Sequence, residues 1–207
     1  MITERRRAKL EEVARHRQPD LTVVVEDVHD PHNVSAMLRS CDAAGVLQVQ
    51  LVYTVDTFPR IGGKSSASAG KWISTRRFRS IEECYGQLRR EGFTIWATRI
   101  GEKSRSLYDL DFTSKTAVVF GNEHRGVSEA ASDGADGLLQ IPMVGMIQSL
   151  NVSVACAVTV FEALRQRMHA PGWDTPKLSP QEFAQMVEAW SRKRTDHRKA
   201  KTKGSSP

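Results

Sequence analysis

Leu21-Thr22-Val23-Val24-Val25-Glu26-Asp27-Val28-His29-Asp30-Pro31-His32-Asn33-Val34-Ser35-Ala36-Met37-Leu38-Arg39 begins as an almost unbroken apolar run, Leu21 to Val25. Apolar residues at consecutive positions suit a strand covered on both faces. The run then breaks into carboxylate and imidazole side chains and a proline, after which helical spacing begins. The same order returns along the chain. Strand-like runs stand at Val49–Tyr53, Phe93–Ala97, Ala117–Phe120 and Leu138–Ile141, with helix-like segments between them. This alternation predicts an α/β domain whose sheet is mostly parallel and flanked by helices. Trp72–Phe78 reads as a sixth strand, which Arg76, Arg77 and Arg79 would confine to a sheet edge or turn into a loop.

Helix signals fill the gaps. Ser80-Ile81-Glu82-Glu83 has the pattern of a capping box, Ile81, Cys84, Tyr85 and Leu88 fall on one helical face, and Gly92 follows as the stop. Ser179-Pro180-Gln181-Glu182 has the same pattern with proline at the first helical position, and Phe183, Met186, Val187 and Trp190 form one stripe. A basic helix over Thr3–Arg17 and the helix over 180–191 are extensions of the α/β domain. The expected organisation is a basic N-terminal helix at 1–18, the main domain at 19–169, a helical extension at 170–191 and a basic tail at 192–207.

The 207 residues are 40% hydrophobic and 26% charged, the balance of a folded, water-soluble domain. The N-terminus lacks the apolar segment of a secretory signal, and no stretch reaches the roughly 20 apolar residues of a membrane span. A cytoplasmic protein without membrane contact is expected. Three cysteines, Cys41, Cys84 and Cys156, argue against a disulfide framework and a cysteine zinc site. His29 and His32 flank Asp30 without a third or fourth ligand, so no metal is expected. Residues 192–203 carry seven basic residues and one acidic residue, matching the whole formal net charge of +6. Such a block is either a solvated tail or a set of phosphate contacts.

Ligands of open α/β sheets bind beyond the carboxyl ends of the strands, and three polar segments fall there. In the first, Asn33 reads as a helix N-cap and Arg39 as a surface charge or a phosphate clamp. In the second, Gly121–Ser128, Glu123 stands in a glycine-bounded turn, and Val127 replaces the lysine that a nucleotide-hydrolysing phosphate loop needs. In the third, Ile141–Ser153, an apolar loop leads to a helix with Ser149 as its expected N-cap. Its first three turns are apolar all round, so burial between the sheet and either the core or a second subunit is expected. That loop suits a flat heterocycle.

PHNVSAMLRSCDAAGV, AVVFGNEHRGVSEAA and IPMVGMIQSLNVSVACAVTVFEALRQR together resemble the three signature motifs of the SpoU branch of the SPOUT methyltransferases, and the likeness runs over residues 3–191. The resemblance implies a C-terminal trefoil knot, a homodimer, and S-adenosylmethionine as cofactor, contacted by Thr98, Gly121, Ile141, Met146, Ser149 and Leu150. It also implies that Asn33, Arg39, Glu123, Ser149 and Asn151 serve methyl transfer or hold the site in shape. RQPDLTVVVEDVHDPHN and the chain length favour the tRNA enzymes that methylate the 2′-hydroxyl of guanosine 18 in the D-loop. A ribosomal RNA enzyme and a catalytically silent RNA-binding module are the alternatives. RNA contacts are expected at Arg5, Arg6, Arg7, Arg39, Arg192, Lys193 and Arg194. The family proposal makes Arg39 the base; because a guanidinium stays protonated at neutral pH, its chemistry favours clamping the neighbouring phosphate. His124 and Arg125 depart from the family pattern after its glutamate.

Overall fold

The computed structural model describes residues 2–54, 58 and 69–192; Lys193 and Arg194, with the rest of the basic tail, lie outside the described residues. The chain divides into two compact units, residues 18–171 and residues 1–17 with 172–207.

The larger unit is built on seven strands: β1 (Gln18–Glu26), β2 (Val46–Val52), β3 (Ser74–Phe78), β4 (Thr94–Thr98), β5 (Arg105–Ser106), β6 (Thr116–Phe120) and β7 (Gly137–Gln140). They lie in the order β3-β2-β1-β6-β4-β7-β5, and every pairing is parallel. β3 is an edge strand, one of the two outcomes, edge or loop, that its arginines left open. Arg76 bonds Glu91 and Gln50, while Arg77 and Arg79 are exposed. The two-residue β5 carries no apolar pattern and is absent from the sequence-based reading.

In chain order the α-helices among the described residues are α1 (Glu4–Arg15), α2 (Pro31–Ala43), α3 (Ala69–Trp72), α4 (Ile81–Arg90), α5 (Glu129–Gly134), α6 (Val152–His169) and α7 (Pro180–Arg192); α2 to α6 belong to the larger unit, and α1 and α7 to the smaller one. The apolar strands feed two cores. Leu21, Val23 and Val25 of β1 and Val118 and Phe120 of β6 pack with α2 and α6, whereas Val24, Ala117 and Val119 pack with α4 and α5. Alternate side chains thus point to opposite covered faces, which is why the runs are apolar at every position. Each fully buried aliphatic side chain contributes roughly 1.5–3 kcal/mol. Cys41 and Cys156 are free, buried thiols in the same core, in hydrogen-bonding contact between α2 and α6. Buried Arg167, near the end of α6, donates to Phe112 O, Ser114 O, Asp20 O and Gln18 Oε1, tying that end to the start of β1.

Ser80 caps α4 by accepting from Glu83 N at 3.2 Å, but the reciprocal bond differs from a full box. Glu83 Oε2 accepts from Arg79 N at 3.1 Å. In the smaller unit, α1 and α7 pack together. The Ser179 box is complete there, with Glu182 N donating to Ser179 Oγ and Ser179 N to Glu182 Oε2. His16 stacks on Trp173 with ring centres 5.4 Å apart, and the Arg17 guanidinium lies 5.2 Å from the Trp190 ring centre. Among the described residues no helix is long and apolar enough to cross a membrane.

Arg76 reaches Glu91 through Nη1 at 2.6 Å and Nη2 at 3.0 Å. Hydrogen bonds from Arg76 outweigh the opposing effect of burial and, with one from Gln87, hold the Glu91 carboxyl down at about 2. A carboxyl depressed on folding adds stability above its unfolded value of roughly 4.3 and loses it as pH falls towards the folded one. Glu91→Gln should therefore lower stability at neutral pH by about 1 kcal/mol, allowing for solvent screening of a pair nearly a third exposed. Urea denaturation should show its difference from the unsubstituted protein narrowing from about pH 5 to about pH 3, and a constant difference would remove the pair as its cause.

Candidate functional site

β1 ends in two carboxylates. Glu26 is only 3% exposed, and Asp27 adopts a left-handed backbone at φ 46°. A non-glycine residue pays for that conformation unless its surroundings hold it. Here Asp27 N donates to Val52 O, and its carboxylate accepts from Thr54 N at 2.9 Å and Thr54 Oγ1 at 2.8 Å. The chain then reaches Asp30, whose side chain accepts from His32 N and caps α2, with Pro31 at the first helical position. This corrects the expectation that Asn33 is the N-cap. Proline has no N–H to lose and its φ suits the first turn, so the helix starts earlier and the Asn33 side chain is released for other bonds.

Those bonds go to the loop after β6. Glu123 accepts from Asn33 Nδ2 at 2.9 Å, His29 N at 3.1 Å and Asp30 N at 3.1 Å. Partial burial pushes its carboxyl up, but these bonds outweigh that and leave it below the usual range. Asn151 Nδ2 donates to Asn33 Oδ1 at 3.1 Å, while Asn151 Oδ1 accepts from Ser153 N at 2.9 Å and caps α6. The helix therefore starts at Val152 with Asn151 as its cap, and not at Ser149 as expected. Ser149 is exposed and lines a cleft. Of the two burials expected for α6, the core of one chain does not supply it on every side: Val154, Phe161 and Met168 are 46%, 47% and 53% exposed in the single chain.

The loop from Gly121 is shaped by Asn122. Its Nδ2 donates to Asp27 O at 2.8 Å, its Oδ1 accepts from His124 N and Arg125 N, and its backbone O accepts from Gly126 N. A Cβ on Gly121 would overlap the Gly126 carbonyl and the Val127 nitrogen, so the loop folds back on itself only with glycine there. At the loop's far end, Ser128 N and Oγ both donate to buried Glu26, and Ser128 Oγ accepts from Ala131 N to start α5.

Beside this loop, at the carboxyl ends of β4, β6 and β7, is a cleft of about 610 Å³. Its size falls within the roughly 300–1,000 Å³ of small-molecule sites. Of the expected cofactor contacts, Thr98, Gly121, Ile141, Ser149 and Leu150 line it, as do Glu123 and Asn151. Met146 does not; it is 99% exposed in the 143–150 loop. Arg39 is an exposed residue of α2 with no hydrogen bond or ion pair to another described residue. In the other unit, Arg5 and Arg7 are exposed, Arg6 is half-buried, Arg7 pairs with Glu11 and Arg192 with Glu188. Among the described residues no group of three or more His, Cys, Asp or Glu side chains is placed to hold a metal. The sequence-based reading missed Asn122, Glu26, Asp27 and Ser128. The signal available was two adjacent carboxylates closing an apolar strand, where burial obliges each to find donors.

Comparison with known proteins bears on this geometry. Residues 20–161 match the SpoU rRNA methylase family. Over 191 residues the chain is 48% identical to a tRNA (guanosine(18)-2′-O)-methyltransferase of Thermus thermophilus, covering 92% of this chain and 98% of the relative. The crystal structure of the Aquifex aeolicus TrmH/SpoU tRNA modifying enzyme superimposes with a TM-score of 0.85 at 34% identity, covering 93% of this chain and 98% of that one. AviRb, a SpoU methyltransferase of Streptomyces viridochromogenes solved with AdoMet, superimposes with a TM-score of 0.66 at 27% identity, covering 74% and 63% of the two chains.

Gly121→Ala tests whether the loop must close on itself to form the cleft wall. S-adenosylmethionine affinity measured by calorimetry should fall by more than about tenfold, with the melting temperature also lowered. Affinity equal to that of the unsubstituted protein would mean that the wall is not part of the binding site.

Proposed function

The chain belongs to the SpoU rRNA methylase family, and from that premise we infer that it methylates the ribose 2′-oxygen of guanosine 18 in tRNA, with S-adenosylmethionine as methyl donor. The observation that carries this reading is the bonded series Glu123, Asn33 and Asn151, which joins all three motif segments at the cleft. Near-complete coverage of the guanosine-18 tRNA methyltransferase relative favours tRNA over ribosomal RNA as substrate.

The cleft residues fit the cofactor. Ile141, Leu150 and Val152 offer apolar contact to a flat ring, and Thr98, Gln148 and Ser149 offer polar groups beside it. The cofactor, when bound, supplies a methyl group made electrophilic by its sulfonium charge. Glu123 is a positioning residue and a poor base, since three donors stabilise its ionised form. It orients Asn33, which in turn holds Asn151 and the start of α6. Arg39, whose side chain has no partner among the described residues, clamps the phosphate beside the target ribose and so aligns its 2′-hydroxyl. Arg5, Arg6, Arg7 and Arg192 supply further phosphate contacts, joined by Lys193 and Arg194 of the tail.

The protein acts in the cytoplasm as a homodimer. What supports the dimer is an exposed apolar surface: Val154, Phe161 and Met168 recur every seven residues on α6, and Val144, Met146 and Ile147 are 103%, 99% and 70% exposed in the preceding loop. Large apolar side chains exposed in this number are expected to be covered. The segment from β7 through α6 forms the trefoil knot, a reading supported by the insertion of β7 between β4 and β5. The helices α1 and α7 are extensions of the methyltransferase domain.

Transfer of a labelled methyl group to unmodified tRNA should occur and should vanish when residue 18 is 2′-deoxyguanosine; transfer to ribosomal RNA instead would overturn the assignment. Arg39→Ala should lower methylation by more than about a hundredfold while leaving cofactor affinity unchanged, and loss of cofactor binding with the fold intact would refute the clamp. In sedimentation at micromolar concentration the protein should run as a dimer and Phe161→Glu as a monomer. A monomer without the substitution would remove the dimer.

A further inference from the structure

We propose that Glu26 is a positioning residue for cofactor binding, holding the wall of the cleft in shape through Ser128; the proposal rests on the reading of that cleft as the S-adenosylmethionine site. Seven consecutive residues, Gly121 to Val127, line the cleft, and neither Glu26 nor Ser128 is among the lining residues. The segment is fastened at both ends. Near its start, Asn122 donates to Asp27 O at 2.8 Å; just beyond its end, Ser128 N donates to Glu26 Oε2 at 2.9 Å and Ser128 Oγ to Glu26 Oε1 at 2.6 Å. Both anchors fall on consecutive residues at the end of β1, so the folded-back loop is closed onto two adjacent fixed points.

The second anchor is best matched by a carboxylate. An ionised carboxylate is acceptor only, and Ser128 presents it with two donors. The Ser128 oxygen already accepts from Ala131 N at 3.0 Å to cap α5, so a second bond accepted there would use its remaining lone pair and turn its own hydrogen away from residue 26. An amide at residue 26 would present one N–H to that hydroxyl, replacing two charge-assisted bonds with neutral ones and leaving the hydroxyl hydrogen without this acceptor. Burial pushes the Glu26 carboxyl up and neighbouring Asp27 adds to this, while the two Ser128 bonds and the Arg125 charge act the other way. A buried carboxylate with no other role would be a liability at this position. Here it is matched to both donors of the residue that follows the cleft wall.

The test uses the full-length protein, with S-adenosylmethionine affinity from calorimetry, steady-state kinetics on tRNA and thermal unfolding. Glu26→Gln and Ser128→Ala should each raise the cofactor Kd and KM about tenfold, with KM for tRNA unchanged. Ser128→Thr keeps both donors and should bind close to normally. Glu91→Gln breaks an ion pair at the opposite edge of the sheet and serves as the control for stability, lowering the melting temperature without moving the cofactor Kd. Normal cofactor affinity in both Glu26→Gln and Ser128→Ala would overturn the proposal, as would an equal rise in Kd for Glu91→Gln. Should Glu26→Gln fail to fold, the Ser128→Ala and Ser128→Thr pair decides. Failure of the unsubstituted protein to bind S-adenosylmethionine would instead overturn the reading of the cleft, and this proposal with it.

Discussion

The carboxylate of Glu123 is the point on which the site depends. It stands in the loop after β6, yet its three donors, Asn33 Nδ2 and the N–H groups of His29 and Asp30, belong to the turn between β1 and α2. Two loops some ninety residues apart in sequence are thereby joined by charge-assisted hydrogen bonds, about twice as strong as neutral ones. Through Asn33 the connection extends to Asn151 and the first turn of α6. A carboxylate so fully engaged has little left for proton transfer, and its contribution to catalysis is the placement of others.

This linkage is possible because the sheet is parallel and reverses direction beside β1. The connections after β1 lead outward to β2 and β3, whereas those around β6 lead to β4, β7 and β5. Adjacent parallel strands whose crossovers diverge leave a crevice at their carboxyl ends; the Glu123–Asn33 linkage spans it, and the cleft lies beside it over β4, β6 and β7. The backbone there is held against its preferences. Asp27 keeps a left-handed conformation under bonds from Thr54 and Asn122, and Gly121 admits a contact that any side chain would block. Rigidity comes from buried polar groups with matched partners, Glu26 with Ser128 among them, because an unmatched one in the same place would cost about 1–3 kcal/mol.

Much of this was legible in the sequence. Strands buried on both faces announce themselves by consecutive apolar residues, and Leu21–Val25 and Ala117–Phe120 could hardly be anything else once β-branched side chains and flanking turns are counted. Ser80 and Ser179 marked their helices because a cap is a local interaction within four residues. The arginines of β3 left an edge strand or a loop, and pairing with β2 decided for the strand. Motif order located the polar segments at the carboxyl ends of strands, and Thr98, Gly121, Ile141, Ser149 and Leu150 do line one cleft.

What the sequence alone determined, then, are the features set by neighbours along the chain: periodicity, caps, turns and the class of the sheet. Tertiary structure decided the rest. Asn33 and Ser149 each look like a cap to a local reading, but Asp30 and Asn151 take those places, since Asn33 is claimed by a carboxylate ninety residues away and Asn151 is placed to meet it. Strand β5 exists only because β7 offers an edge to pair with, and Met146 lies outside the cleft because its loop turns to solvent. Whether a carboxylate acts as base, brace or buried anchor depends on which donors reach it, and Glu26, Asp27 and Glu123 draw theirs from segments that only the folded chain brings together.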